Sequence, residues 1–215
     1  MLSFPAQNWQ KVHSSIKSLD KSGVASLITP RLYLSDYGTA RNSKILEELG
    51  ITHVISVIER IPDLPEVIPQ TQRFHLPLPD SSWVNIIKHL DATTAFITAA
   101  LEENETNKVM VSNLLGSSMT YSFINWQVHC MLGISRSSTV VCAYLIATAN
   151  LSAEESIAHV QSLRSTVSPN IGFRQQLSEY ATRCVENKSK SNPMLMPDVL
   201  NGVGGEVIRK LRKRS

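Results

Sequence analysis

The chain has 215 residues, 42% of them hydrophobic, and a formal net charge of +3. That size allows one well-packed domain with tails and is short for two. No apolar run reaches the roughly 20 residues of a membrane span, and Met1–Gln10 lacks the basic and apolar regions of a secretory signal. Much of the charge sits in Arg209–Arg214, which reads as a solvated charge run, with a nuclear signal or a membrane-surface patch as alternatives. Nothing indicates nucleic-acid binding. Three cysteines without paired spacing (Cys130, Cys142, Cys184) point to free thiols in a reducing compartment, cytoplasm or nucleus. No Cys/His group has zinc-ligand spacing, so neither a metal nor another cofactor is expected.

In chain order, Leu32-Tyr33-Leu34 predicts a short strand, and Ala40–Leu49 a helix ended by Gly50. The β-branched stretch Thr52–Ile58 predicts a buried strand. Pro62, Pro65 and Pro69 mark a loop. Arg73–Leu78 predicts a strand, Pro79-Asp80-Ser81-Ser82 a turn, and Asn85–Glu103 a long amphipathic helix. Val109-Met110-Val111 predicts a strand core. An apolar helix follows Ser137, and Ser152 with Glu155 forms a capping box opening another helix to about Ser165. Pro169-Asn170 breaks the chain before a last helix from Phe173 to about Val185. The alternation predicts an α/β fold, a central, mostly parallel sheet flanked by helices. Residues 1–26 read as an N-terminal extension, 27–186 as the domain, and 187–215 as a loosely ordered polar and basic tail.

The chemistry concentrates in Val128-His129-Cys130-Met131-Leu132-Gly133-Ile134-Ser135-Arg136-Ser137. A loop that curls as it enters a helix turns successive amides inward and makes a cradle for an oxyanion. Cradle and helix dipole also stabilise a thiolate, placing Cys130 in the ~3.5–7.5 range of activated cysteines. Gly133 gives a tight loop its backbone freedom. Arg136 can bind two phosphoryl oxygens, and Ser137 can donate a hydrogen bond to the departing sulfur. Cys142 and Cys184 read as core residues, with a redox partner for Cys130 as the alternative.

This stretch resembles the signature of the cysteine-dependent protein tyrosine phosphatase superfamily, and within it the dual-specificity phosphatases. Thr139 with Ala143-Tyr144-Leu145, then Ser168-Pro169-Asn170, Gly172-Phe173, Gln176-Leu177 and Tyr180, extend the likeness, as do Ile28–Leu34 and Leu49–Val54 upstream. The resemblance implies a cysteine-phosphatase fold and phosphorylated protein substrates. Cys130 is then the nucleophile that forms a thiophosphate intermediate, and Met131–Arg136 bind the phosphate. Asp80 is the general acid, with Asp91 its competitor. His129 tunes the thiolate and Asn170 braces the loop. No tyrosine-bearing loop precedes Leu32, which implies a shallow pocket open to phosphoserine and phosphothreonine as well as phosphotyrosine. A non-protein phosphate is an alternative substrate, although Met131, Leu132 and Ile134 are apolar where lipid-specific relatives are basic.

The chain departs from the family between strand and loop. Relatives run from the strand straight into the His-Cys pair, whereas here Val111–Gln127 intervenes. Excising it joins Lys108-Val109-Met110 to Val128-His129-Cys130. Val111-Ser112 is encodable by GTA-AGT and Gln127 by CAG, the usual start and end of an intron. The segment therefore reads as a retained intron or gene-model error, expected as a protruding loop. Alternatively, Ser122–Val128 takes over the strand place of Val109–Val111. With the segment present, a catalytically impaired phosphate-binding module is the competing function. Physiological substrate and oligomeric state are not legible.

Overall fold

The computed structural model describes residues 25–113 and 134–191. Five strands, β1 (Ala25–Thr29), β2 (Leu32–Asp36), β3 (His53–Val57), β4 (Arg73–Leu76) and β5 (Val109–Asn113), form one sheet in the order β1-β2-β5-β3-β4. Only the β1–β2 pair is antiparallel; β2–β5, β5–β3 and β3–β4 are parallel. This is the expected mostly parallel sheet. Every residue of β3 and β5 is buried. Their β-branched residues Val54, Ile55, Val57, Val109 and Val111 supply both faces, as a parallel sheet covered on two sides requires. The segment Ile28–Leu34 is the end of β1, a turn at Pro30-Arg31 and the start of β2.

The helices are α1 (Tyr37–Ala40), α2 (Ser43–Leu49), α3 (Ile87–Glu103), α4 (Arg136–Ala149), α5 (Ala153–Leu163) and α6 (Ile171–Ser191). The helix expected over 40–49 is instead two short ones. Asp36 Oδ1 accepts from Thr39 N at 2.8 Å and starts α1. Asn42 leaves the helical backbone (φ −93°, ψ 101°), and its side chain accepts from Ile45 N to start α2. Asn and Asp cap a helix more readily than they continue one. Gly50 ends α2 at φ 68°, the left-handed conformation that glycine adopts without strain. The capping box of α5 is present in full: Glu155 N donates to Ser152 Oγ, and Ser152 N to Glu155 Oε2. Contacts divide the chain into two units, Met1–Ala181 and Thr182–Ser215. The described part of the second is helical to Ser191, past the expected onset of the tail at 187.

Helix α4 is buried nearly all round, from Val140 and Val141 through Cys142, Ala143, Leu145 and Ile146. Such a helix is a core element, and here it packs against α3, α5 and β5. Burial pushes the Cys142 thiol up to about 12. It stays protonated through the physiological range and so lacks the thiolate that a redox partner needs. At pH 8, iodoacetamide should leave Cys142 unmodified in the native protein and label it in urea, by mass spectrometry. Rapid native labelling would contradict this burial.

The central strand bears on the segment 111–127. β5 includes Val111, Ser112 and Asn113, which pair with Leu34, Ser35 and Asp36 on one side; Val111 and Ser112 also pair with Ile55 and Ser56 on the other. The strand place is thus held by Val109–Asn113, not by Ser122–Val128. Residues 114–127 lie outside the described residues.

Candidate active site

Helix α4 opens at Ser135, and its first turn is held by side chains. Ser138 Oγ donates to the Ser135 carbonyl at 2.9 Å and also to that of Ile134. Thr139 Oγ1 donates to the same Ser135 carbonyl at 2.7 Å. Arg136, the first helical residue, is 8% exposed. Its Nη1 donates to the Leu78 carbonyl at 2.7 Å and lies 3.9 Å from Glu59 Oε1. Its Nε stands 3.8 Å from Asp80 Oδ2, too far for a hydrogen bond.

Asp80 is tied back to the same helix turn. Asn170 Nδ2 donates to Asp80 Oδ1 at 2.9 Å, and Asn170 N donates to Ser135 Oγ at 3.0 Å. Asn170 Oδ1 accepts from Phe173 N at 2.9 Å and so caps α6. Ser135, Asn170, Asp80 and Arg136 close a ring that starts and ends on the first turn of α4. Asp91 lies on an exposed face of α3, so of these two aspartates Asp80 is the one that the fold brings to the guanidinium, beside Glu59.

Two residues that pin the Asp80 loop carried no assigned role in the sequence. Gln176 Oε1 accepts from Ile86 N at 2.8 Å and Ile87 N at 3.0 Å, while its Nε2 donates to the Val84 carbonyl at 2.8 Å. That clamp satisfies amides at the start of α3, whose N-cap residue Ile86 has no side chain able to do so. One turn earlier on α6, a Cβ at Gly172 would lie 1.8 Å from the Ser82 carbonyl oxygen. The i, i+4 spacing of Gly172 and Gln176 was the available signal, because it sets a gap and an amide on one helix face. Gly172→Ala forces backbone against backbone. It should cost about 3 kcal/mol, the upper part of the overpacking range, seen as a lower urea midpoint at unchanged slope. An unchanged midpoint would mean that the loop yields freely.

The site is short of partners for its donors. Among the described residues, Arg136 Nε and Ser137 Oγ are buried without a hydrogen-bond partner. A buried polar group left unpaired costs about 1–3 kcal/mol. Two such donors at the N-terminus of a 14-residue helix favour an anion, which the helix dipole favours too. Ile134 and Ser135 lead into this turn. His129, Cys130, Met131, Leu132 and Gly133 lie outside the described residues.

The family profile "Dual specificity phosphatase, catalytic domain" matches residues 32–183. "Tyrosine-protein phosphatase yvh1" of Schizosaccharomyces pombe is 33% identical over 171 residues, 80% of this chain and 46% of that protein. "Dual specificity protein phosphatase 22-B" of Danio rerio is 30% identical over 72% of this chain and 73% of its own length. The crystal structure of the human tyrosine phosphatase-like serine/threonine/tyrosine-interacting protein superposes with a TM-score of 0.62 at 28% identity, covering 75% of this chain and 97% of that one. The chain spans less than half of the yvh1 protein and 22% of the human "Dual specificity protein phosphatase 16", to which it is also similar. Together, the profile match over most of the chain and the α4 site in a mostly parallel sheet make this chain a member of the dual-specificity phosphatase family.

Proposed function

We propose that the domain is a protein phosphatase that hydrolyses phosphotyrosine, phosphoserine and phosphothreonine through a cysteinyl-phosphate intermediate. The Cys130 thiolate attacks phosphorus, so an S–P bond forms as the P–O bond to the substrate breaks, and Asp80 gives its proton to the leaving oxygen. Asp80 then takes a proton from water, which attacks phosphorus. The thiolate departs with a hydrogen bond from Ser137, and inorganic phosphate is released. Arg136 and the amides of 131–136 hold the phosphoryl oxygens, and His129 tunes the thiolate. Asn170 holds Asp80 in line with the first turn of α4.

The observation that carries this reading is the buried Arg136 guanidinium, its Nε unpartnered among the described residues and 3.8 Å from Asp80. That pairing suits an anion whose leaving group needs a proton. Aryl phosphate hydrolysis that disappears in Cys130→Ser tests it; hydrolysis unchanged by that substitution refutes it.

A second reading, a phosphate-binding module with impaired turnover, is favoured by β5. Excising Val111–Gln127 would bring Val128, His129 and Cys130 to the strand places that Val111, Ser112 and Asn113 now hold. With the segment present, Cys130 and Asn113 cannot share that place. Asn113 suits it poorly: both its side-chain polar atoms are buried without a partner among the described residues.

A further inference from the structure

Five large hydrophobic residues are exposed among the described residues: Ile61, Val67, Trp83, Ile171 and Val185. Single exposed apolar residues are ordinary, whereas a group around a recessed polar site is not. Three of these border the α4 site. Ile61, 86% exposed, is two residues from Glu59, whose carboxylate is 3.9 Å from Arg136. Trp83, 85% exposed, is three residues from Asp80. Ile171, 66% exposed, adjoins Asn170, which bonds Asp80. Chain reach puts each backbone within about 10 Å of those site residues. The close approach of Gly172 to Ser82 brings together the backbones that carry the adjacent Ile171 and Trp83.

We infer that Ile61, Trp83 and Ile171 form an apolar collar that selects phosphorylated peptide segments with large apolar side chains beside the phosphorylated residue. The inference rests on the phosphate site proposed above. A phosphate on a side chain reaches down to the buried Arg136, which leaves the peptide backbone at the level of the collar. In an extended peptide the neighbouring residues lie about 3.3 Å apart along the chain, within the span of the collar. The connection that bears Ile61 carries Glu59, Asp63 and Glu66 against Arg60, and Asp63 is paired with Arg41. That leaves no basic cluster to attract anionic lipid headgroups or nucleic acid, so a peptide is the favoured occupant.

The test is binding to the full chain carrying Cys130→Ser, which retains ligand without turnover. Two phosphotyrosyl peptides are compared, one with leucine on both sides of the phosphotyrosine and one with serine. The leucine peptide should bind about tenfold more tightly, and Trp83→Ser or Ile61→Ser should remove most of that preference. Both variants should leave tungstate affinity unchanged. Tungstate binding with equal affinity for the two peptides overturns the collar alone. No binding of tungstate or of either peptide overturns the phosphate site and the collar with it. Phosphatidylcholine vesicle binding weakened by Trp83→Ser, with equal peptide affinities, assigns the patch to a membrane and overturns the inference. A dimer in sedimentation that Trp83→Ser dissociates, again with equal peptide affinities, overturns it in favour of self-association.

Discussion

Removal of residues 111–127 should raise aryl phosphate hydrolysis at least about 100-fold over the full chain, because a misplacement of about 1 Å at a reacting group can cost that much. The reason lies in the register of β5. Its residues pair on both sides through Ser112, and Asn113 is still paired with Asp36. The strand place that leads toward the α4 site is therefore filled by residues of the intervening segment. The rest of the site does not wait on that segment: Arg136, Asp80, Asn170 and Ser135 are already joined by hydrogen bonds and close approach. Deletion then has one task, the delivery of Cys130 to the end of the strand. The gain must vanish when Cys130→Ser is introduced into the shortened chain. Equal activity of the two chains, both shown folded by cooperative thermal unfolding, would mean that the segment is harmless. The coding sequence gives an independent check. Every valine codon begins with GT, so the deciding codon is that of Gln127: CAA there, in place of CAG, would end the intron explanation, though not the register argument.

In the shortened chain, Asp80→Asn should lower kcat by about 10²–10⁴-fold, the usual share of general acid–base catalysis. The loss should be greatest for phenyl phosphate and other poor leaving groups, and smaller for 4-nitrophenyl phosphate, which departs with little help. The substitution keeps an oxygen able to accept from Asn170, so the ring around α4 survives. An equal loss for every leaving group would reduce Asp80 to a structural link between Asn170 and Arg136.

Local order was legible where its causes are local. The β-branched run of β3, the Gly50 end of α2 and the Ser152–Glu155 box each act within a few residues, and each appears as expected. The break at Asn42 is also local; the apolar spacing of 40–49 obscured a capping residue inside it. The loop from Cys130 to Arg136 announced phosphate chemistry because cysteine, glycine and arginine sit there at one fixed spacing.

What the sequence determined by itself, then, was the set of elements and the kind of chemistry. The tertiary structure decided that Asp80 rather than Asp91 meets Arg136, since Asp80, Ser135 and Asn170 come together only through the crossovers of a parallel sheet. It also decided that the central strand runs past the expected Val109–Val111 through Ser112 and Asn113, residues that the family resemblance had placed in an insertion. Strand register is a long-range property, fixed by neighbours on both sides and by burial of both faces. The clamp of Gln176 and the crossing of Gly172 over Ser82 have the same origin: helix and loop are adjacent in space but some 90 residues apart in sequence.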